Sequence, residues 1–289
     1  MKPVSICRRT ALGLVALGLT LAAPIAGHAQ ARDGALLIAH RGGVVDDRRP
    51  ENSLAALDEA IRQGYSHVEV DLRVTKDGRV VCLHDRSLLR TAGVDLNIDE
   101  VTLAELYGKV DPAAVPTLEA FAARAQGHVG LMPDVKEPPP ELVAALKSGI
   151  RTALETHDLM RGALFIGSQA IIVDFAGPAR IAWRRPFAEF QQALASGGRP
   201  ARVYFAFNHA KDFDEAQVAG FRSLGVPVVV TVNLLHYLTG DAMAQGKADV
   251  DRALALGVDG LQIDADYEPF ARARPVAAAS PADGRRARR

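Results

Sequence analysis

Cysteine is almost missing from this chain. Of 289 residues only Cys7 and Cys82 carry a thiol. Cys7 falls in an N-terminal apolar segment, so a body without that segment has one cysteine and no disulfide within a subunit. Cys82 sits inside Val80-Val81-Cys82-Leu83 and reads as a small buried hydrophobe, not a nucleophile. An excess of either charge is also lacking, with 34 Lys and Arg against 34 Asp and Glu. Beyond residue 26 no apolar run approaches the roughly 20 residues that span a bilayer. No internal repeat and no linker divides the chain, and Pro138-Pro139-Pro140 marks a local stop, not a domain boundary.

The zero balance conceals an uneven distribution. Lys2, Arg8 and Arg9 precede an uncharged apolar run over residues 11–26, and Gly27-His28-Ala29 supplies small residues for cleavage. Residues 1–29 therefore read as a signal peptide, with an imperfect twin-arginine pattern at Arg8-Arg9. The expected mature protein begins at Gln30 and is periplasmic or secreted. Residues 272–289 hold six Arg and one Asp without apolar periodicity and read as a disordered tail. Subtracting both ends leaves residues 30–271 with a net charge of about −8, which excludes general nucleic-acid binding.

Short β-rich runs alternate with helical stretches, as in a parallel sheet. The strands are expected at 36–39, 67–74, 80–83, 129–135, 163–166, 202–205, 227–231 and 260–263. The segment 171–201 gives the weakest pattern. Eight strands with intervening helices predict a single-domain (β/α)8 TIM barrel over residues 30–271. Taken in order, the third strand would stand between the second and fourth. Asn52 or Ser53 is expected to cap the helix that starts at Leu54, and Thr117 the helix that follows it.

The polar residues cluster at strand ends. His40 and Arg41 follow the first strand, Glu69 and Asp71 end the second, and His84-Asp85 follow the third. Asp134 and Lys136 end the fourth, Ser168 follows the fifth and Asp264 the last. In an α/β barrel these ends share one face, where catalytic residues gather. Glu69 and Asp71, one residue apart on a strand, point the same way. With Asp134 they offer an all-oxygen site suited to Ca²⁺ or Mg²⁺. Arg41 and Lys136 can clamp phosphate oxygens, and His40 and His84 can act as general acid and base. His67, His128, His157, His209 and His236 are assigned to surface or packing.

His40-Arg41-Gly42, Pro50-Glu51-Asn52-Ser53, Val68-Glu69-Val70-Asp71-Leu72, Thr75-Lys76-Asp77-Gly78 and His84-Asp85 occur in that order. Together with Val115-Pro116-Thr117-Leu118-Glu119 and Leu256-Gly257-Val258-Asp259-Gly260, the run resembles the glycerophosphodiester phosphodiesterase family. The resemblance spans roughly residues 36–270 and thins after 136. It implies a barrel, a divalent cation, and hydrolysis of glycerophosphodiesters to glycerol 3-phosphate and an alcohol, the small-molecule partner being a glycerophosphodiester or lysophospholipid-like substrate. It further implies His40 and His84 as the acid/base pair, Glu69 and Asp71 as metal ligands, and Arg41 and Lys136 on phosphate. Glu51 matches the Pro-Glu-Asn motif, either toward substrate or in shaping its loop.

Three features depart from the family pattern. The loop between Gly42 and Pro50 is long, Asp134 stands where Glu is usual, and Val230-Thr231-Val232-Asn233 lacks a Trp. Asp134 also admits a sphingomyelinase D-like reading with a cyclic phosphate product. A non-catalytic phosphodiester-binding barrel is disfavoured, since both His and the carboxylates are present.

Overall fold

The computed structural model describes residues 34–273. Its strands are β1 (Leu36–Ala39), β2 (His67–Val74), β3 (Val80–Cys82), β4 (Gly130–Val135) and β5 (Leu164–Gly167). They continue with β6 (Arg180–Trp183), β7 (Tyr204–His209), β8 (Val228–Val232) and β9 (Gly260–Ile263). The expected signal peptide lies outside the described residues, as does the tail beyond Ala273. Arg272, read from sequence as the start of that tail, instead closes the helix Glu268–Arg272 and donates to the Gln63 carbonyl at 3.1 Å.

A tight turn decides how the first strands assemble. Gly78 takes φ +79° and its N–H donates to the Thr75 carbonyl at 2.9 Å. A connection this short can only return the chain antiparallel, because parallel neighbours need a crossover of a dozen residues or more. Accordingly β3 runs antiparallel to β2, with Cys82 opposite Leu72, and stands outside the barrel. This corrects the expectation that residues 80–83 form the third stave. The missing stave is β6, drawn from the segment with the weakest pattern. It is four residues long, and its ends Arg180 and Trp183 are only half-buried. Eight parallel strands then close in the order β1-β2-β4-β5-β6-β7-β8-β9 and back to β1.

Alternation along the staves sorts their side chains into two shells. Ile38, Met132, Ile166, Ala182, Phe205, Phe207 and Val229 fill the barrel interior. Their neighbours, among them Leu37, Val70, Phe165, Val230 and Leu261, pack outward against the helices. Residues displaced by the β2–β3 turn build a third cluster, in which Val81, Leu83 and Leu88 pack on Ile98, Leu106 and Val115. That satellite carries His84 and Asp85 to the barrel mouth. Ser53 caps the helix Leu54–Arg62 by accepting from the Ala56 N–H, and Thr117 caps Leu118–Ala125 likewise. Asn52 is thereby left for another task.

Phe205 is fully buried at the barrel axis, where no neighbour can collapse into the space it fills. Phe205→Ala is expected to lower stability by about 3–5 kcal/mol in chemical denaturation. A loss below 1 kcal/mol would mean that the interior is not close-packed.

Candidate active site

The register of β2 against β4 sets Asp71 directly beside Asp134. Glu69 lies two residues earlier on the same face. Oxygens of Glu69, Asp71 and Asp134 come within 4.8 Å of one another. The expected third strand between them, which would have obliged Asp134 to reach across the mouth, is absent: β2 and β4 are direct neighbours. The shorter side chain suffices between adjacent staves.

Glu69 and Asp71 are each 1% exposed, so their charges need partners. Lys136 Nζ bridges Asp71 Oδ1 at 2.8 Å and Asp134 Oδ2 at 2.7 Å. The Asn52 amide donates to Asp71 Oδ2 at 2.9 Å, and its oxygen accepts the Asp71 N–H at 3.0 Å. Glu69 has less support: the Arg41 N–H donates to Oε2 at 2.6 Å. Burial pushes the Glu69 carboxyl well above the ordinary range, and the charges of Asp71 and Asp134 push it further. Burial acts on Asp71 too, but Lys136, His84 and Asn52 outweigh it and hold its pKa down. Lys136 loses solvation, yet its two carboxylates push the ammonium up to about 12.

These contacts require unusual backbone. Arg41 and Asn52 adopt φ +55° and +61°, in the left-handed region that most residues avoid and Asn tolerates. Gly42 lies between them in space, where a Cβ would come 2.3 Å from the Asn52 Cα. Left-handed tolerance is the one signal in the sequence that could have marked Asn52, whose amide role was missed.

The two histidines are held alike. His40 Nδ1 lies 2.6 Å from Asp264 Oδ1, and its Nε2 lies 4.0 Å from Glu69 Oε2. His84 Nδ1 lies 2.7 Å from Asp85 Oδ1. Asp85 in turn accepts from Arg90 at 2.5 Å. Arg90 and Arg41 both donate to Glu51, each at 2.6 Å. Glu51 thus gives its oxygens to two guanidiniums, which places it as the support of Arg41. Sequence reasoning missed Arg90, which lies in an exposed helical turn with no motif around it. Ser168 sits at the mouth, 3.3 Å from Glu137. His209, which ends β7, and His236, which follows β8, pack ring against ring with centroids 4.0 Å apart.

When Glu69, Asp71 and Asp134 are all ionised, three carboxylates face one ammonium and leave an excess of two negative charges. One divalent cation would balance that excess, and the donors are the hard oxygens such an ion takes. The cluster can hold a metal ion.

Residues 40–176 match the model of the Glycerophosphoryl diester phosphodiesterase family. Over those residues the chain is similar to that family. The match begins just after β1 and runs from β2 through β5, the part of the chain that supplies every carboxylate of the cluster. Among relatives of this phosphodiesterase family, the "Probable glycerophosphodiester phosphodiesterase 1" of Mycobacterium tuberculosis is 46% identical over 70 residues, 24% of this chain and 25% of that protein. Human glycerophosphodiester phosphodiesterase 1 is 34% identical over 129 residues, 40% of this chain and 38% of its own length. The chain spans between a quarter and just under half the length of the curated relatives it matches. Solved structures extend the likeness to the whole barrel. A Parabacteroides distasonis glycerophosphoryl diester phosphodiesterase gives a TM-score of 0.63 at 20% identity, covering 86% of this chain and 88% of that one. An Oleispira antarctica phosphodiesterase in complex with sn-glycerol-3-phosphate gives 0.60 at 24%, covering 81% and 93%.

The Glu69 environment makes a signed prediction. Its folded pKa lies above the unfolded value of about 4.3, so the folded chain keeps this proton longer. That contribution to stability is complete below pH 4 and is lost as pH rises through the raised folded pKa. In chelator, Glu69→Gln is expected to be more stable than wild type at neutral pH, with the gap closing near pH 4. Denaturation midpoints across pH test this, and a gap independent of pH contradicts it.

Proposed function

We propose that this protein hydrolyses glycerophosphodiesters to glycerol 3-phosphate and an alcohol. The observation that carries this reading is the pair of histidines beside the acidic cluster, each anchored through Nδ1 on a carboxylate. Anchoring one ring nitrogen fixes orientation and leaves Nε2 as the atom that exchanges a proton. One imidazole takes a proton from water as its oxygen joins phosphorus. The other gives a proton to the departing alkoxide as the phosphorus–oxygen bond breaks. Arg41, held by Glu51, faces the equatorial oxygens of the phosphoryl group. Glu69, Asp71 and Asp134 would hold Mg²⁺ or Ca²⁺, which neutralises charge developing on those oxygens. The Oleispira relative, bound to sn-glycerol-3-phosphate, supports the same product here.

His84→Ala is expected to lower kcat on glycerophosphocholine by about 10²–10⁴-fold with an unchanged unfolding midpoint. Turnover equal to wild type would remove His84 from the pair. Phosphorus NMR of the wild-type product is expected to show a monoester. A cyclic phosphate would instead support transfer to an internal hydroxyl, as in a sphingomyelinase D-like enzyme.

We also infer that the protein is exported. The charged, apolar and small-residue zones over residues 1–29 support this reading. N-terminal sequencing of the exported protein should begin at Gln30, whereas a chain that retains residues 1–29 would point to an anchor.

A further inference from the structure

A second group of metal-ligating side chains stands apart from the three carboxylates. His209 ends β7, His236 lies in the loop after β8, and their Nδ1 atoms are 3.2 Å apart. Two nitrogens bound to one tetrahedral Zn²⁺, each at about 2.0–2.1 Å, stand about 3.3 Å from each other. Without an ion the same spacing closes as a single N–H···N bond, which keeps the two rings together with no charge between them. A cavity of about 560 Å³ opens beside the pair, and Tyr237 and Asp249 line it as well.

The surroundings suit the rings to a metal. A ligating imidazole must be neutral. Burial lowers the pKa of His209, and burial, with His209 and His40 nearby, brings His236 down to about 4. The Asn233 amide lies 2.9 Å from His236 Nε2, where it acts as the outer partner that fixes the ring of a ligating histidine. Asp249 accepts the Tyr237 hydroxyl on Oδ2 at 2.7 Å, and its charge reaches His209, whose pKa it raises. Its carboxylate can supply oxygen to a further position, directly or through water. Lys211 lines the same cavity and opposes a cation, but its side chain is exposed on a flexible stem and can turn to solvent.

We infer that His209 and His236 bind a borderline transition-metal ion such as Zn²⁺, at a site separate from the oxygen cluster on β2 and β4. Imidazole nitrogen favours Zn²⁺, Cu²⁺ or Ni²⁺, and carboxylate oxygen favours Mg²⁺ or Ca²⁺, so the two sites sort metals by ligand chemistry. The ion acts as a staple between β7 and the β8 loop. That loop has little packing of its own, since Leu235 is 60% exposed and Leu238 87%. Its other tie is Asp264, which accepts the Leu234 N–H on Oδ2 at 2.6 Å while Oδ1 holds His40 Nδ1, also at 2.6 Å. With the ion bound, the loop is fastened on both sides.

Metal binding to the untagged, chelator-stripped protein tests this. With excess Mg²⁺ present to occupy the oxygen cluster, Zn²⁺ titrated into wild type should bind in the calorimeter and raise the unfolding midpoint. Cu²⁺ in place of Zn²⁺ should show splitting by imidazole nitrogen in its electron spin resonance spectrum. Outer partners are worth about 10–100-fold in metal affinity, so Asn233→Ala should weaken Zn²⁺ binding by about tenfold, and His209→Gln or His236→Gln by more. His40→Ala, which removes the imidazole beside Glu69, should leave the copper spectrum unchanged. Zn²⁺ binding that persists in both Gln variants, or nitrogen splitting that disappears in His40→Ala, would place the ion elsewhere and overturn the site. Absence of Zn²⁺ binding by wild type would overturn it as well. The wild-type copper spectrum reads the ligands without any substitution, so the test stands even where a Gln variant fails to fold.

Discussion

Three carboxylates and one lysine meet where β2 and β4 end, and two of the acids are sealed from water. Like charges at such spacing repel, and burial removes the solvent that would screen them. Everything near the mouth serves to make this arrangement tolerable. The Arg41 N–H, the Asn52 amide and Lys136 each face an acid oxygen, the first two from left-handed backbone and Lys136 from just beyond β4. Left-handed φ values at Arg41 and Asn52, and a glycine between them, are what this support costs in local strain.

From that centre a chain of charge runs around the rim. Asp85 holds His84 and Arg90, and Arg90 and Arg41 share Glu51. Exposed ion pairs of this kind add little stability singly. Their value is positional, because the two guanidiniums keep the half-buried Glu51 ionised and Glu51 keeps Arg41 pointed at the mouth. Burial would raise the Glu51 carboxyl, but Arg90 and Arg41 bring it below its ordinary range. On the opposite side Asp264 does the same for His40 and extends the rigid frame into the β8 loop. The phosphoryl end of the site is thereby polar and fixed, while the flank beyond it is apolar and open.

Much of this was legible in one dimension. His40, Arg41, Glu69, Asp71, Asp134 and Lys136 sit toward the ends of parallel staves, which a barrel must gather on one face, whereas His84 arrives there after the antiparallel β3. The caps at Ser53 and Thr117 follow from local chemistry alone. Asp264 was visible as a strand-end acid, but its bond to His40 spans 224 positions and leaves no local trace. Arg90 and the bond from the Leu234 N–H to Asp264 depend on long-range placement in the same way.

The sequence by itself determined every strand except β6, which side chains share a face of β2, and that eight staves could close. Those properties follow from periodicity, and periodicity is local. It could not settle which eight strands formed the ring, because four residues of β6 carry little pattern and the Asp77-Gly78 turn looks like any strand connection until its direction is considered. Only the tertiary structure, by expelling β3 and setting β4 beside β2, placed Asp134 next to Asp71. Neighbouring strands lie about 4.8 Å apart, so that one change of pairing turned a reach across the mouth into adjacent staves.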